Sequence, residues 1–304
     1  MGQGWILLLA MGLDGAFGEP KALWDRWPHP VVLMGRLIGW CDARFNYGED
    51  RRLKGVAVMV GLGLGAAALG LAIAAVPDFG LLQVLVVAAL MAQRSLADHV
   101  QATGDALRLS LGDGRRAVAR IVGRDVTAMD QPAVARAAIE SAAENLSDGV
   151  IAPALWFLAA GLPGLLLYKV TNTADSMIGH RSERHGEFGW AAARFDDLLN
   201  LIPARVTALL IALVHLRWDA FAVILRDAPL HRSPNAGWPE AAMAVCLDVQ
   251  LSGPRGYGGE WRDYPVVYPE GRAEIGPAEV EGAVRALWRS WAGLLIIAVL
   301  VALF

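Results

Sequence analysis

Three groups of polar side chains stand at helical spacing inside a chain that is otherwise strongly apolar. Glu140, Glu144 and Asp148 are spaced i, i+4, i+8, so a helix running through them stacks three carboxylates on one face. Like charges at that spacing repel, and a cation or a positively charged partner would relieve them; Asn145 and Ser147 add neutral oxygens nearby. A solvated helix face ending near Gly149 is an equally good account of the stripe. Asp196, Asp197 and Asn200 form D-D-x-x-N directly before an apolar run. Asp196 and Asn200 share a helix face, while Asp197 points about 100° away. Oxygen-only ligands suit Mg²⁺, which keeps several waters and takes one or two carboxylates plus phosphate. Taken without its neighbours, the pair reads more simply as helix-terminus acids favoured by the dipole.

Asn172, Asp175, Ser176 and Gly179 make a third stripe, with Lys169 one turn earlier and Arg181 and Arg184 following. A mixed stripe of this kind can hold phosphate through its cations and a metal through its acids. An intrahelical salt-bridge face explains it equally well. His29 sits in W-P-H-P-V between two prolines that fix an extended backbone. It is the weaker candidate for a proton acceptor, since a structural histidine is commoner. The other histidines form no H-E-x-x-H, and there is neither a Walker lysine nor G-x-S-x-G.

The elements that must position these groups belong to a membrane protein. The chain has 304 residues, 55% hydrophobic and 19% charged, where soluble domains carry about 25% charge. Gly55 to Val76 is uncharged and at helical rise reaches about 33 Å, enough to cross a bilayer. Gly80–Ala92, Trp291–Phe304 and Trp5–Gly18 are apolar but short. Val206–Leu225 spans only if Arg217 and Asp219 sit near an interface. The expected class is all-α and polytopic: several transmembrane helices with large helical cytoplasmic connections, in a single integral-membrane domain over 1–304. The basic connections 19–54 and 93–149 belong in the cytoplasm and the Pro77–Gly80 turn outside. Val150–Tyr168 is broken by Gly161-Leu162-Pro163-Gly164. A re-entrant pair of half-helices over 150–168 would keep Glu140–Asp148 and Asn172–Asp197 on one face. Residues 226–290 read as loop-rich, with turn clusters at Ser233–Gly237 and Gly253–Gly259.

Other classes are disfavoured. Net charge is −3, which argues against a nucleic-acid partner. Cys41 and Cys246 stand alone and imply neither a disulfide framework nor a zinc site. No Lys or Arg precedes the first apolar run, so a cleavable signal peptide is not expected.

Six ordered blocks carry a specific likeness: Leu13–Pro20, His29–Ile38, Glu140–Pro153, Tyr168–Gly179, Phe188–Arg205 and Ser233–Gly237. Over nearly its whole length the chain resembles the adenosylcobinamide-phosphate synthase family of cobalamin biosynthesis. It departs at Glu19, where that family usually has Asp, and at His180, where Tyr is common. The resemblance implies a bacterial inner-membrane ligase with its site facing the cytoplasm. It would join 1-amino-2-propanol, or its O-phosphate, to a propionate of adenosylcobyric acid at the expense of ATP.

On that basis the catalytic region is 140–205, with contributions from 13–38 and 231–268. Asp175, Asp196 and Asp197 are assigned to Mg²⁺–ATP, with Asn172 and Asn200 assisting, and Arg184 and Arg205 to phosphate. Glu140, Glu144 and Asp148 would hold a second metal or the amine, and His29 would be a base. Asn145, Ser176, Ser233 and Asn235 are added as binding residues. The partners implied are the corrinoid, the amine and the bilayer, with further copies of the chain or other enzymes of the pathway left open. Two rival readings are a non-catalytic inner-membrane regulator of the same superfamily and a transporter using its acids for coupling ions. The absent repeat and the uncharged core spans weigh against the transporter.

Overall fold

The computed structural model describes residues 1–123, 125–257 and 260–303. Arg124 of the basic connection, Gly258 and Gly259 of the expected turn cluster, and Phe304 lie outside them. In chain order the helices are α1 (Gln3–Phe17), α2 (Lys21–Trp24), α3 (Pro30–Phe45), α4 (Arg51–Ala74), α5 (Leu81–Leu90), α6 (Gln93–Leu109), α7 (Leu111–Val118), α8 (Gln131–Leu146), α9 (Ala152–Ile178), α10 (Trp190–Leu199), α11 (Leu201–Val214), α12 (Ala220–Asp227), α13 (Gly237–Leu247) and α14 (Pro277–Leu303). Short antiparallel ladders pair β1 (Leu251–Ser252) with β4 (Val266–Val267) and β2 (Arg255–Tyr257) with β3 (Glu260–Arg262).

Among the described residues, four helical stretches are long and apolar enough to cross a membrane. They are Arg51–Ala74, Leu81–Leu109, Gln131–Ile178 and Pro277–Leu303, with a fifth if α10 and α11 count as one span. The chain is thus an all-α polytopic membrane protein. Helix α14 starts at Pro277, so the short apolar tail is the end of a 27-residue helix. Val206–Leu225 is not one helix. It ends at Val214 because Arg217 turns to donate to Asp219 (2.8 and 2.6 Å) and to the Val245 carbonyl (2.6 Å). Residues 226–290 are more helical than expected, since α13 and the first half of α14 occupy them.

The chain forms two compact units, each assembled from segments distant in sequence. The first comprises Met1–Ala92, Ala152–Asn200 and Ile297–Phe304; the second comprises Gln93–Ile151 and Leu201–Ile296. In the first, Ile38, Met59, Leu62, Val170, Ala174, Ile178 and Phe188 share a buried core. Helix α4 and the second half of α9 run antiparallel, with Gly70 against the Pro163 backbone and Gly63 against the Leu167 side chain.

Helix α9 folds back on itself. Ala160 (φ −140°, ψ 16°) and Gly161 (φ 63°, ψ −155°) leave helical geometry. Ala152, Tyr168 and Leu199 share one buried cluster, although a straight helix would hold Ala152 and Tyr168 about 24 Å apart. The amide of Gln3 reaches the tip: with its nitrogen and oxygen assigned so that each meets a partner, it donates to the Leu158 carbonyl (3.1 Å) and accepts from the Gly161 N–H (3.3 Å). These are the paired half-helices expected for re-entry, with the freed backbone groups met by protein.

In the second unit, α8 packs against α6, α7 and α13, and α13 also packs against α11 and α12. Helix α14 joins this unit through Gly293, which touches Leu210 and Val214, and through Glu281, which pairs with Arg108 (2.5 Å).

Candidate functional site

The D-D-x-x-N motif and the Asn172–Gly179 stripe come together in the first unit. Asp196 is buried at 8% exposure. Its Oδ1 accepts from Asn172 Nδ2 (3.3 Å) and its Oδ2 from Asn200 Nδ2 (3.0 Å). Tyr168 in turn donates its hydroxyl to Asn200 Oδ1 (3.0 Å), which fixes which end of that amide faces Asp196. Folding-back of α9 makes this chain of bonds available, because it sets Tyr168 beside the end of α10. Asp175 and Asp197 both lie within electrostatic reach of Asp196. Oδ1 of Asp175 rests against Gly179 so closely that a Cβ there would come within 2.0 Å of it. Two acids within electrostatic reach of one buried carboxylate favour a cation nearby.

Asp197 opens onto a cleft of about 140 Å³ lined by Gly179, Arg181, Gly186, Trp190, Ala193, Arg194 and Asp197. Arg194 pairs with Asp197 (3.2 Å), and the Arg52 guanidinium stacks on Trp190, 3.8 Å from the ring centroid. Whole-ligand pockets are usually about 300–1,000 Å³, so this cleft has room for phosphoryl groups and not for a macrocycle. Two arginines would neutralise a phosphate and one accessible carboxylate would meet its counter-ion. Among the described residues, no three His, Cys, Asp or Glu converge as a closed metal cage. Mg²⁺ does not need one, since it takes one or two carboxylates plus phosphate oxygens. The all-oxygen donor set of Asp197 and Asp175 beside the cleft fits that ion.

Other expected residues have different employment. Arg184 does not line the cleft. It donates twice to Asp42 Oδ2 (3.2 and 2.5 Å), and the cations at the cleft are Arg181 and Arg194. Ser176 donates back to the Asn172 carbonyl (3.0 Å). His29 caps α3, its Nδ1 accepting from the Val31 N–H (3.2 Å) while Trp24 packs edge-on at 4.5 Å. Burial pushes its pKa down, opposed by the charge of Glu19. With Nδ1 committed to the Val31 N–H, this histidine serves as the N-cap of α3.

In the second unit, the carboxylate stripe is not uniform. Glu140 is buried and accepts from the Ser252 N–H of β1 (2.6 Å), whereas Glu144 and Asn145 are exposed and Asp148 is half-buried. A π-helical turn at Ser147–Ile151 also ends the regular repeat that would align Asp148. Glu140 thus anchors β1 and is not free to serve a metal with the other two. Asn145 donates to the Ser141 carbonyl (2.9 Å). Arg205 stacks on Trp238 (4.3 Å) and donates to Asn235 Oδ1 (3.3 Å). Ser233 Oγ accepts from the backbone of Asn235 and Ala236 (both 3.2 Å), shaping the turn before α13. These three form a local group, with Ser233 in a structural role.

The family model described as CobD/Cbib protein matches residues 7–287. The chain belongs to the CobD/Cbib family. Members similar to it include the "Cobalamin biosynthesis protein CobD" of a Sinorhizobium species, 50% identical over 93% of each chain. That of Brucella suis is 47% identical over 98% of each. That of Rhodobacter capsulatus is 47% identical, covering 98% of this chain and 96% of its own. No solved structure matches this CobD/Cbib chain. Sequence reasoning did not single out Arg194, Arg52, Asp42 or Tyr168. Arg194 had a signal, three residues before Asp197 on one helix face; Asp42 and Arg52 are remote in sequence and carried none.

Proposed function

We propose that this protein acts in cobalamin biosynthesis as an ATP-dependent ligase of the bacterial inner membrane. It joins 1-amino-2-propanol, or its O-phosphate, to a propionate carboxylate of adenosylcobyric acid. One observation supports the reading: Gly179, at the end of the Asn172–Gly179 stripe, and Arg194 and Asp197 of α10 line a single cleft together with Arg181, so two arginines and a half-buried acid share it. Family membership and the relatives' name supply the pathway.

A carboxylate and an amine do not condense at neutral pH, because hydroxide leaves poorly and an ammonium is not nucleophilic. Transfer of the γ-phosphoryl group of ATP to the propionate gives an acyl phosphate and ADP. Attack by the amine then forms the C–N bond and expels phosphate. Phosphoryl transfer needs positioning and charge neutralisation above all. Arg181 and Arg194 supply cationic hydrogen bonds for phosphate. When bound, Mg²⁺ held by Asp197 and Asp175 would neutralise charge on the phosphates.

The test is a reaction of detergent-purified protein with Mg²⁺–ATP, adenosylcobyric acid and each amine separately, read by mass spectrometry of the corrinoid. A mass gain equal to one amine, less water, supports the ligase and identifies the amine. No gain with either, from folded protein, overturns the ligase and favours the regulator.

A further inference from the structure

The segment Gly179–Gly189 contributes Gly179, Gly186 and one of the two arginines, Arg181, to the cleft lining, yet it is a turn-rich connection and not a helix. It is held from outside by α3 and α4. Asp42 of α3, 8% exposed, receives both Nε and Nη2 of Arg184 on one oxygen, at 3.2 and 2.5 Å. Its other oxygen accepts from Asn46 Nδ2 (2.8 Å) and faces His185 Nε2 at 3.4 Å. Asn46 Nδ2 also donates to the Arg184 carbonyl (2.9 Å). Beyond it, Arg51 pairs with Glu187 (3.0 Å) and donates to the Glu183 carbonyl (3.2 Å). Of these ties, the one to Asp42 combines charge and two hydrogen bonds on a buried carboxylate, with the Arg184 side chain itself largely exposed. Burial alone would push the Asp42 carboxyl up, but hydrogen bonds from Asn46 and Arg184 hold it below the ordinary aspartate value. Its charge is kept for the clamp.

We infer that Asp42 is a positioning residue: it clamps the Gly179–Gly189 segment to α3 so that Arg181 stays within reach of Asp197 across the cleft. The Arg181 charge acts on Asp197 in this arrangement. The inference rests on reading the cleft as the phosphate site, and it gives α3 a part in nucleotide binding although none of its residues lines the cleft. Releasing the clamp lets Arg181 wander and weakens binding of the triphosphate. The corrinoid and the amine should be unaffected.

The experiment compares D42A, R181A and the double variant D42A/R181A with the wild type, in detergent. Loss of one charged hydrogen-bonding partner in a binding site should raise the nucleotide KM about tenfold in D42A, with the corrinoid KM unchanged. Because Asp42 acts through Arg181, the double variant should be no worse than R181A alone. Limited trypsin digestion provides a readout independent of activity: D42A should be cut after Arg181 and Arg184 faster than the wild type. If D42A does not fold, D42N, which keeps its volume and one acceptor oxygen, replaces it in the same comparison. Wild-type nucleotide KM with unchanged trypsin resistance overturns the clamp, as does a double variant in which the two effects multiply. Faster cleavage in D42A from a protein that makes no amide product supports the clamp and overturns the ligase reading instead.

Discussion

At the scale of single residues, the site is organised by which carboxylates are buried among amides and which reach the cleft. Asp196 is tied, with an amide on each oxygen; Asp197 is half-buried at the cleft and shared with Arg194. Asp197→Ala should therefore lower turnover by about 100-fold or more while leaving the detergent melting temperature near that of the wild type. Near-normal turnover would remove Asp197 from the metal. Asn200→Ala should behave in the opposite manner. It takes an acceptor from Tyr168 and a donor from Asp196 in a buried place, and should cost about 1–3 kcal/mol of stability, read from denaturant unfolding. Asp42 gives the pH dependence. Its folded-state pKa lies below the ordinary value, so its contribution is complete above about pH 4 and is lost as pH falls through the lower folded value. Protection of the 181–184 amides from hydrogen exchange, measured at each pH, should fall in that window in the wild type. In D42N it should be low at every pH.

At the scale of elements, the residues that break helices matter as much as those that build them. The Gly161-Leu162-Pro163-Gly164 interruption was legible because proline has no N–H to give and glycine alone accepts the backbone found at Gly161. Gly161→Ala should cost about 1–3 kcal/mol, seen as a lower melting temperature. Activity should fall too, since the fold-back sets Tyr168 beside Asn200. An unchanged melting temperature would mean that the fold-back is not held by this residue. The stripe Glu140–Glu144–Asp148 was only half legible. Its spacing was plain, but a π turn and the partner of Glu140, a backbone N–H more than a hundred residues away, leave no mark on periodicity. The same holds for Arg184: a charged residue after an acidic stripe reads as a phosphate ligand until α3 supplies a carboxylate for it.

At the scale of the whole molecule, orientation in the membrane is the open property that sequence addresses most directly. The proposed topology, drawn from the basic connections at 19–54 and 93–149, has the Gly179–Gly189 segment on the cytoplasmic side and the Pro77–Gly80 turn outside. With Cys41 and Cys246 replaced by alanine, Val76→Cys should react with a membrane-impermeant maleimide added to spheroplasts. Ser182→Cys should react only in inverted vesicles, and its labelling from outside would reverse the proposed topology. Composition, apolar run length and six ordered motifs were sufficient for the class and the family, because hydropathy and local spacing are properties of contiguous residues. Contacts one helical turn apart, Asp196 with Asn200 and Arg194 with Asp197, follow from local spacing, but the rest were decided by tertiary structure. The pairing of Asp42 with Arg184, the Asn172 amide on Asp196 and the two-unit division of the chain all join segments apart in sequence. Such contacts depend on how helices return to one another, which local spacing does not encode.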